Sequence, residues 1–213
     1  VSGKFFTVRG VSVKGKSEAS NNWEQPIIHQ AEIGTLGILS KIEKGTRYFL
    51  MQAKMEPGNC NALQLSPTVQ ATLSNYSRVH SGKKTEYLDL FHEAHSSQVL
   101  VDSLQLEQGG RFFQKRNRNI IVEIDHDIKL KSNFLWIKLS DLASLLQQNN
   151  LVNMNARSVL SCYLTIPPLD HSNSKNKISA ILNWITRLRM KNWSEAKFIP
   201  LNRVDGWEIT KNK

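Results

Sequence analysis

Side chains suited to binding hydroxyl and phosphate groups are concentrated in three short stretches of this sequence. The stretches span residues 52–59, 64–80 and 107–119 and are rich in Gln, Asn, Arg and Tyr, whereas an ordinary solvated surface is mostly Lys and Glu. Amide and guanidinium groups make directional hydrogen bonds, and a guanidinium fork matches the oxygens of a phosphate. The stretches therefore indicate a ligand that carries hydroxyl and phosphate groups.

The formal net charge of +10 points in the same direction. Such a charge suits a polyanionic partner, which is nucleic acid, an anionic membrane or a phosphorylated small molecule. For most of the lysines, an ordinary basic surface is a sufficient explanation. No segment approaches the roughly 20 apolar residues that a membrane span needs, so we expect no membrane partner.

The chain has two cysteines, Cys60 and Cys162. Neither belongs to a Cys-x-x-Cys motif or to a Cys/His cluster, so the sequence predicts neither a disulfide framework nor a zinc site. This cysteine usage favours a reducing compartment, and we expect a cytoplasmic protein.

The hydrophobic pattern predicts strands in the first part of the chain and helices in the second. A glycine-containing turn at residues 43–45 joins two of the strands into a hairpin. Val99, Val101 and Leu104 are expected to point inward, and Ser140 is the expected N-cap of a helix. The predicted strands cover residues 4–13, 35–42, 46–54, 98–106 and 119–125, and the predicted helices cover residues 85–94, 141–148, 155–163 and 177–191.

Four blocks of this sequence are distinctive as ordered phrases. They are Phe-Leu-Met-Gln-Ala-Lys-Met-Glu-Pro-Gly-Asn from Phe49, Leu-Ser-Pro-Thr-Val-Gln-Ala-Thr-Leu-Ser-Asn-Tyr from Leu65, Gln-Leu-Glu-Gln-Gly-Gly-Arg-Phe-Phe-Gln-Lys-Arg-Asn-Arg from Gln105, and Asn-Asn-Leu-Val-Asn-Met-Asn-Ala-Arg-Ser-Val-Leu-Ser-Cys from Asn149. These blocks resemble the signature blocks of the NDP-hexose 2,3-dehydratases. The resemblance runs from about Gly3 to Cys162 and returns near residues 200–207.

The resemblance implies an activity in deoxysugar biosynthesis on a dTDP-4-keto-6-deoxyglucose-type substrate. It also implies an α+β, Nudix-like module, with a mixed, partly antiparallel sheet flanked by helices. In the implied reaction a base takes the C3 proton, which the C4 ketone makes acidic. A donor stabilises the enolate oxygen, and an acid protonates the departing C2 hydroxyl. This chemistry requires no metal and no redox cofactor.

The catalytic candidates lie in or beside the resembling blocks. Lys54 is expected to hold the enolate oxygen or the diphosphate. Glu107 is the expected base, with Glu56 and His80 as alternatives, and the expected acid is Tyr76 or His80. A solvated side chain is an equally good interpretation for Lys54. For each glutamate, the competing interpretation is a structural ion pair with a neighbouring arginine.

The substrate-binding candidates are the amide and cationic side chains of the same stretches. Arg116 and Arg118 are favoured for the diphosphate, because alternate residues of an extended segment share a face. The other face then carries Lys115 and Asn117. The full set of expected substrate-binding residues is Gln64, Gln70, Asn75, Arg78, Arg111, Lys115, Arg116, Asn117 and Arg118.

Members of this family usually contain two homologous modules, and this sequence contains one. We expect residues 1–165 to form the dehydratase module, residues 166–176 a loop, and residues 177–213 a C-terminal helix and tail for packing or dimerisation. The chain is then either a stand-alone module that pairs with itself or half of a longer protein. The apolar stripe of the last helix favours a homodimer.

Three other functions compete with the dehydratase. The main alternative is a non-catalytic nucleotide-sugar-binding or scaffold module of a two-module dehydratase. A Nudix-type pyrophosphohydrolase needs a helix with clustered glutamates for Mg²⁺, and residues 141–148 and 155–163 contain no glutamate, so we expect no metal site. An RNA-binding protein would suit the Arg-Asn-Arg run at residues 116–118. However, no RNA-binding motif is present, so we expect no nucleic-acid partner.

Overall fold

This computed structural model describes residues 6–15, 22–72, 85–164, 174–191 and 194–208. The chain divides into two compact units. The first unit comprises Val1–Ala31, Glu107–Lys115 and Pro168–Lys213, and the second comprises Glu32–Leu106 and Arg116–Pro167. Each unit is therefore assembled from separate parts of the sequence.

Within the described ranges the chain forms ten strands and four α-helices. The strands are β1 (Thr7–Gly15), β2 (Trp23–His29), β3 (Gly34–Glu43), β4 (Thr46–Met55), β5 (Leu63–Ser66), β6 (Val69–Ala71), β7 (Val99–Leu106), β8 (Arg116–Glu123), β9 (Phe134–Lys138) and β10 (Ser194–Ile199). The helices are α1 (Asp89–His92), α2 (Leu139–Leu146), α3 (Met154–Tyr163) and α4 (Ser174–Lys191).

The first unit contains a three-stranded antiparallel sheet with the order β10-β1-β2. Val11 and Val13 of β1 pack with Ile27 of β2 in a small apolar core. Two backbone hydrogen bonds, both made by Ile28, join segment 107–115 to β2. Pairing between β1 and β10 thus connects the two ends of the described chain.

The second unit is built on a mixed seven-stranded sheet. Its path is β5-β4-β3-β8-β7, with β6 added beside β3 and β9 beside β4. β3 and β8 are parallel, and the other pairs of this sheet are antiparallel. Helices α2 and α3 pack on one face of this sheet and α1 on the other. The predicted α+β fold, with a mixed, partly antiparallel sheet flanked by helices, is confirmed. The likeness to Nudix hydrolases stays a prediction.

This sheet has an apolar core on each face, because alternate residues of a strand point in opposite directions. Phe49 and Met51 point to the core under α2 and α3, which we call the α3 face. Leu50 points to the core under α1, which we call the α1 face. All three side chains are completely buried. The central strands are therefore apolar on both faces, as in sheets that are covered on both sides.

β3 and β4 part from one another at Leu39 and Leu50, which are opposite in the register. The Thr68 hydroxyl lies between the two strands at this point. It accepts a hydrogen bond from Leu39 N at 2.9 Å and donates one to Leu50 O. Beyond this point β4 pairs with β5, and β3 pairs with β6. One buried hydroxyl therefore completes the backbone hydrogen bonding where the sheet divides.

The predicted hairpin is confirmed as β3 and β4. Its turn residues Lys44 and Gly45 have φ of 49° and 74°, the left-handed conformation that a two-residue hairpin turn requires. The other predicted strands and helices are present, with ends that differ by a few residues. The sequence pattern does not predict β2, β5, β6, β9 or β10.

Two details of the sequence prediction are wrong. Leu104 is 54% exposed rather than inward. It is three residues from Val101, whose side chain is in the core of the α3 face, so Leu104 points to the other face, opposite Arg118. Ser140 is not the N-cap of α2. β9 runs directly into this helix, so the cap position falls on Lys138, whose side chain makes no capping hydrogen bond.

Replacing Thr68 with Val should destabilise the protein by about 2 kcal/mol, because two buried backbone groups lose their partner while the side-chain shape is kept. Thr68→Ser, which retains the hydroxyl, is the matched control and should lose less. Urea unfolding of both variants measures the difference. Equal stability of Thr68→Val and the parent would contradict a structural role for the hydroxyl.

Candidate functional site

Lys54, Glu56 and Gln70 form a polar cluster near the end of β4. Glu56 Oε1 lies 3.1 Å from Lys54 Nζ and accepts a hydrogen bond from Gln70 Nε2 at 3.0 Å. Lys54 belongs to β4 and Gln70 to β6, so the division of the sheet at Thr68 brings them together. The Lys54 and Glu56 side chains are each 29% exposed. Three sequence-predicted site residues therefore meet in one place.

The contact between Lys54 and Glu56 leaves both groups able to bind a ligand. An ammonium has three donors and a carboxylate has about four acceptor positions, and this contact uses one of each. A cationic donor beside an accepting carboxylate is the combination that removes a proton next to a ketone and stabilises the enolate. Partial burial strengthens the electrostatic effect of both groups.

Gln70 belongs to a row of side chains that crosses the α3 face. The register places Leu36 of β3 opposite Gln70 on one side and opposite Asn119 on the other. We call Gln70, Leu36 and Asn119 the amide row. Neighbouring strands are about 4.8 Å apart, so the backbones of Gln70 and Asn119 are about 10 Å apart. The row thus spans a distance comparable to the width of a sugar ring with its hydroxyls.

Asn117 lies on the same face as Asn119, because the two residues are two positions apart on β8. It is opposite Gly34 of β3. A Cβ atom on Gly34 would approach Asn117 Oδ1 to 2.7 Å, so only glycine leaves room for this amide in its present position. Asn117 is therefore the second predicted site residue, after Gln70, that the register places on the α3 face.

Two amide oxygens of the row, Gln70 Oε1 and Asn119 Oδ1, are buried without a hydrogen-bond partner among the described residues. The nitrogen of Gln70 donates to the Glu56 carboxylate, and that of Asn119 donates to Asn117 O at 3.2 Å. Since those two partners are acceptors, the unpaired atom of each amide is its oxygen. Buried polar atoms without partners are rare, so the row is a candidate contact for a ligand that donates hydrogen bonds.

Gln64 has a different environment from Gln70. Its Nε2 donates to the Asn150 carbonyl at 2.7 Å, and Asn61 Nδ2 donates to the same oxygen at 2.9 Å. These bonds hold the loop between α2 and α3, where Asn150 has a φ of 57°. The contacts of Gln64 are thus with the loop, while its role in substrate binding stays a prediction.

Arg116 and Arg118 share a face of β8, as predicted, and Asn117 takes the other. This is the α1 face, opposite the amide row, because Ile120 of the same alternation belongs to the α1 core. The Arg118 guanidinium is bound bidentately to Asp102, at 2.8 and 2.7 Å. Its hydrogen bonds hold the pKa of the Asp102 carboxyl below its usual value. Arg116 is exposed.

Glu107, Arg111 and Lys115 belong to segment 107–115 of the first unit. Glu107 N donates to Lys115 O at 2.8 Å, so the two ends of this segment are paired. Lys115 is buried, and Arg111 is exposed. Because the segment is part of a different unit, the structure does not join these residues to the Lys54–Glu56–Gln70 cluster.

The remaining predicted site residues, Asn75, Tyr76, Arg78 and His80, lie outside the described residues. Within the described ranges, no group of three or more His, Cys, Asp and Glu side chains is arranged to hold a metal ion.

Asn119 is not among the site residues predicted from the sequence. The sequence does contain a signal for it. Asn119 is polar and lies two residues after Asn117 in a central strand, where apolar residues are expected. The neighbouring Gln105 is also an amide on the α3 face, and its Nε2 contacts Cys162 Sγ at 2.8 Å. The unpaired oxygen that distinguishes Asn119 required the structure.

The Lys54–Glu56 pair and the amide of Gln70 form a candidate site for a polar small molecule that carries hydroxyl groups. Residues 1–163 match the family model of the NDP-hexose 2,3-dehydratases. The chain is 43% identical over 228 residues to a dTDP-4-dehydro-6-deoxy-alpha-D-glucopyranose 2,3-dehydratase of Saccharopolyspora spinosa, in an alignment covering 98% of this chain and 47% of that protein. Proteins of the same name from Amycolatopsis orientalis and Streptomyces violaceoruber are 44% and 43% identical, with 97% of this chain aligned to 45% and 48% of theirs.

The chain therefore belongs to the NDP-hexose 2,3-dehydratase family, and the resemblance found in its sequence is confirmed. It spans about half the length of the curated relatives that it matches. In the described part of the chain, no helix is long and apolar enough to cross a membrane.

Replacing Arg116 with Ala should weaken binding of dTDP by roughly 10- to 100-fold if this side chain holds the diphosphate, because a charge-assisted hydrogen bond contributes about 1.5–3 kcal/mol. Arg118→Ala should weaken it less, since Asp102 already occupies the Arg118 fork. Calorimetric titration measures both affinities. The matched control is Asp102→Asn, which frees the fork and should tighten binding. Unchanged affinity in both arginine variants would place the diphosphate elsewhere.

Proposed function

We propose that this chain is a dehydratase that removes water across C2 and C3 of a dTDP-4-keto-6-deoxy-hexose. The observation that carries the proposal is the Lys54–Glu56–Gln70 cluster, which places a cation, a carboxylate and an amide in direct contact. Three relatives are named as 2,3-dehydratases of such a substrate, which supports the assignment. The enzyme would be a hydro-lyase of deoxysugar biosynthesis.

The reaction needs a base, an enolate donor and an acid. The base takes the C3 proton, and the electron pair moves onto the C4 carbonyl oxygen. Collapse of this enolate forms the C2–C3 double bond and breaks the C2–oxygen bond, and the acid protonates the departing hydroxyl to give water. The proton and the leaving hydroxyl balance as one water molecule, so no redox cofactor is needed. We expect no metal requirement either.

We assign the enolate donor to Lys54 and the base to Glu56. The ammonium of Lys54 is already beside a carboxylate, so a ketone oxygen next to Lys54 places its α-proton near Glu56. Glu107 is the base expected from the sequence, and it stays the alternative to Glu56. Tyr76 or His80 remains the proposed acid. The proposed substrate-binding residues are those of the sequence analysis, with Gln70 and Asn117 supported by their position on the α3 face.

A non-catalytic role is the second candidate function. The relatives are about twice as long as this chain, so a module that binds the nucleotide sugar without turning it over is compatible with the family. Both hypotheses predict binding of a dTDP-sugar, and only the first predicts loss of the C3 proton. Exchange of that proton is therefore the measurement that separates them.

We further propose that the chain forms a homodimer through α4. Apolar side chains of this helix are exposed, with Ile181 at 55%, Leu182 at 57% and Leu188 at 39%. The strand that follows, β10, is already paired with β1, so α4 is the part of the C-terminal arm that offers a free apolar surface. We place the protein in the cytoplasm, where both of its free cysteines would stay reduced.

Glu56→Gln should lower exchange of the C3 proton of dTDP-4-keto-6-deoxyglucose with deuterated water by at least about 100-fold, because a positioned base contributes roughly 10²–10⁴-fold. Glu43→Gln is the matched control, because Glu43 is also paired with a strand lysine, Lys41 at 3.0 Å. NMR follows the exchange, and EDTA should leave it unchanged.

The same assay of Glu107→Gln decides between the two carboxylates. Full exchange in Glu56→Gln together with loss in Glu107→Gln would assign the base to Glu107. Full exchange in both variants would move it to His80. Binding of the substrate without any exchange in the parent chain would favour the non-catalytic module.

Ile181→Glu should convert a dimer at micromolar concentration into a monomer, because a charge in an apolar interface is poorly solvated. A stable interface buries about 1,200 Å² or more in total. A single charge at the centre of such an interface is sufficient to separate the two protomers. Asn183→Glu, on the opposite side of the helix, is the control. Sedimentation equilibrium measures the mass. A parent chain that is already monomeric would refute the dimer.

A further inference from the structure

The two unpaired oxygens of the amide row are acceptors that a ligand with hydrogen-bond donors can satisfy. An amide oxygen only accepts, so it cannot bind a phosphate oxygen or a ketone. Gln70 Oε1 and Asn119 Oδ1 lie in the same row, on either side of Leu36. A matching ligand therefore carries at least two donors, one for each oxygen. The hydroxyl groups of a sugar ring are donors of this kind.

The substrate of the proposed function has two hydroxyl groups on its hexose ring. C1 carries the diphosphate, C4 is a ketone and C6 is deoxygenated, which leaves hydroxyls at C2 and C3. These are the two carbons between which water is removed. The inference rests on the proposed function in this respect, although the need for donors follows from the structure alone.

We propose that Gln70 and Asn119 bind the C2 and C3 hydroxyls of the substrate, one amide oxygen to each hydroxyl. Asn119 thereby becomes a specificity-determining residue of the site. It is only 1% exposed, so the side chains around the row must move apart when the sugar enters. Gln70 also connects the row to the proposed base, because its nitrogen binds Glu56. Recognition of a hydroxyl is thus linked to the position of the carboxylate that acts on C3.

The test uses dTDP-glucose and two stable analogues that each lack one hydroxyl, dTDP-2-deoxyglucose and dTDP-3-deoxyglucose. The fourth ligand is dTDP, which has no sugar and serves as the reference. The parent chain should bind dTDP-glucose about 10-fold more tightly than either deoxy analogue, since each hydroxyl forms one hydrogen bond to a buried acceptor. Asn119→Leu, which removes the acceptor at similar volume, should lose the preference against one analogue. Gln70→Leu should lose it against the other.

A merely structural role of Asn119 would change the affinities of all four ligands by a similar factor. The proposal requires that the affinity for dTDP stays unchanged in Asn119→Leu. Gln105→Leu is the matched control, because it replaces another amide on the same face whose nitrogen contacts Cys162. This control should keep both preferences. If Asn119→Leu does not fold, Asn119→Ser replaces it, since the shorter side chain withdraws the acceptor from the ligand.

Retention of both preferences in a folded Asn119 variant would overturn the proposal, and so would equal binding of all three sugars by the parent chain. Failure of the proposed function gives a different result. In that case the parent chain distinguishes the deoxy analogues, and Asn119→Leu loses one preference, yet the C3 proton of dTDP-4-keto-6-deoxyglucose does not exchange. Exchange in the parent chain together with unchanged preferences in the variant rejects the inference alone.

Discussion

The Thr68 hydroxyl lies between two strands that would otherwise continue side by side. By binding Leu39 N and Leu50 O, it supplies the hydrogen bonds that these backbones lose where they part. The division gives β5 and β6 an edge each to pair with. The candidate site depends on this arrangement, because Lys54 and Gln70 lie on the two branches and meet at Glu56. A continuous β3–β4 ladder would have no place for β6 and hence none for Gln70.

Alternate residues of β8 point to opposite faces of the sheet. The polar residues at the start of this strand, Arg116 to Asn119, therefore lie in two different environments. Asn119 belongs to the amide row on the α3 face, and Asn117 points to the same face. Arg116 and Arg118 point to the α1 face, where Asp102 binds the second arginine. The amides and the arginines of this run therefore lie in different environments, although the sequence places them next to each other.

Much of the second unit could be predicted from the sequence, because its strands carry local signals. The β3–β4 hairpin follows from alternating residues on either side of Lys44-Gly45, and α3 follows from helical spacing. β10 could not be predicted in this way, since its pairing with β1 joins residues from opposite ends of the chain. The Val99–Val101 register shift also has no local signal. It places Val99 and Val101 on opposite faces of the sheet, whereas an unbroken period of two would place them on the same face.

The candidate site was predictable in its residue types and not in its contacts. Lys54 and Glu56 are two residues apart, and a shared position near the end of one strand follows from sequence. Their contact with Gln70 depends on the register of a strand beyond a loop, which sequence spacing does not determine.

The amide oxygens of Gln70 and Asn119 also bear on stability. An unpaired buried acceptor costs about 1–3 kcal/mol, which is a substantial part of the about 5–15 kcal/mol that holds a domain folded. Two such atoms lie on either side of Leu36, beside a core whose other buried side chains are apolar. Leucine at either position would remove this cost and extend the apolar core. A sequence selected for stability alone would therefore not place two amides here. Their presence, with Gln70 in contact with Glu56, is the expected pattern for a binding site, where polar groups are available to a ligand at the expense of the free protein's stability.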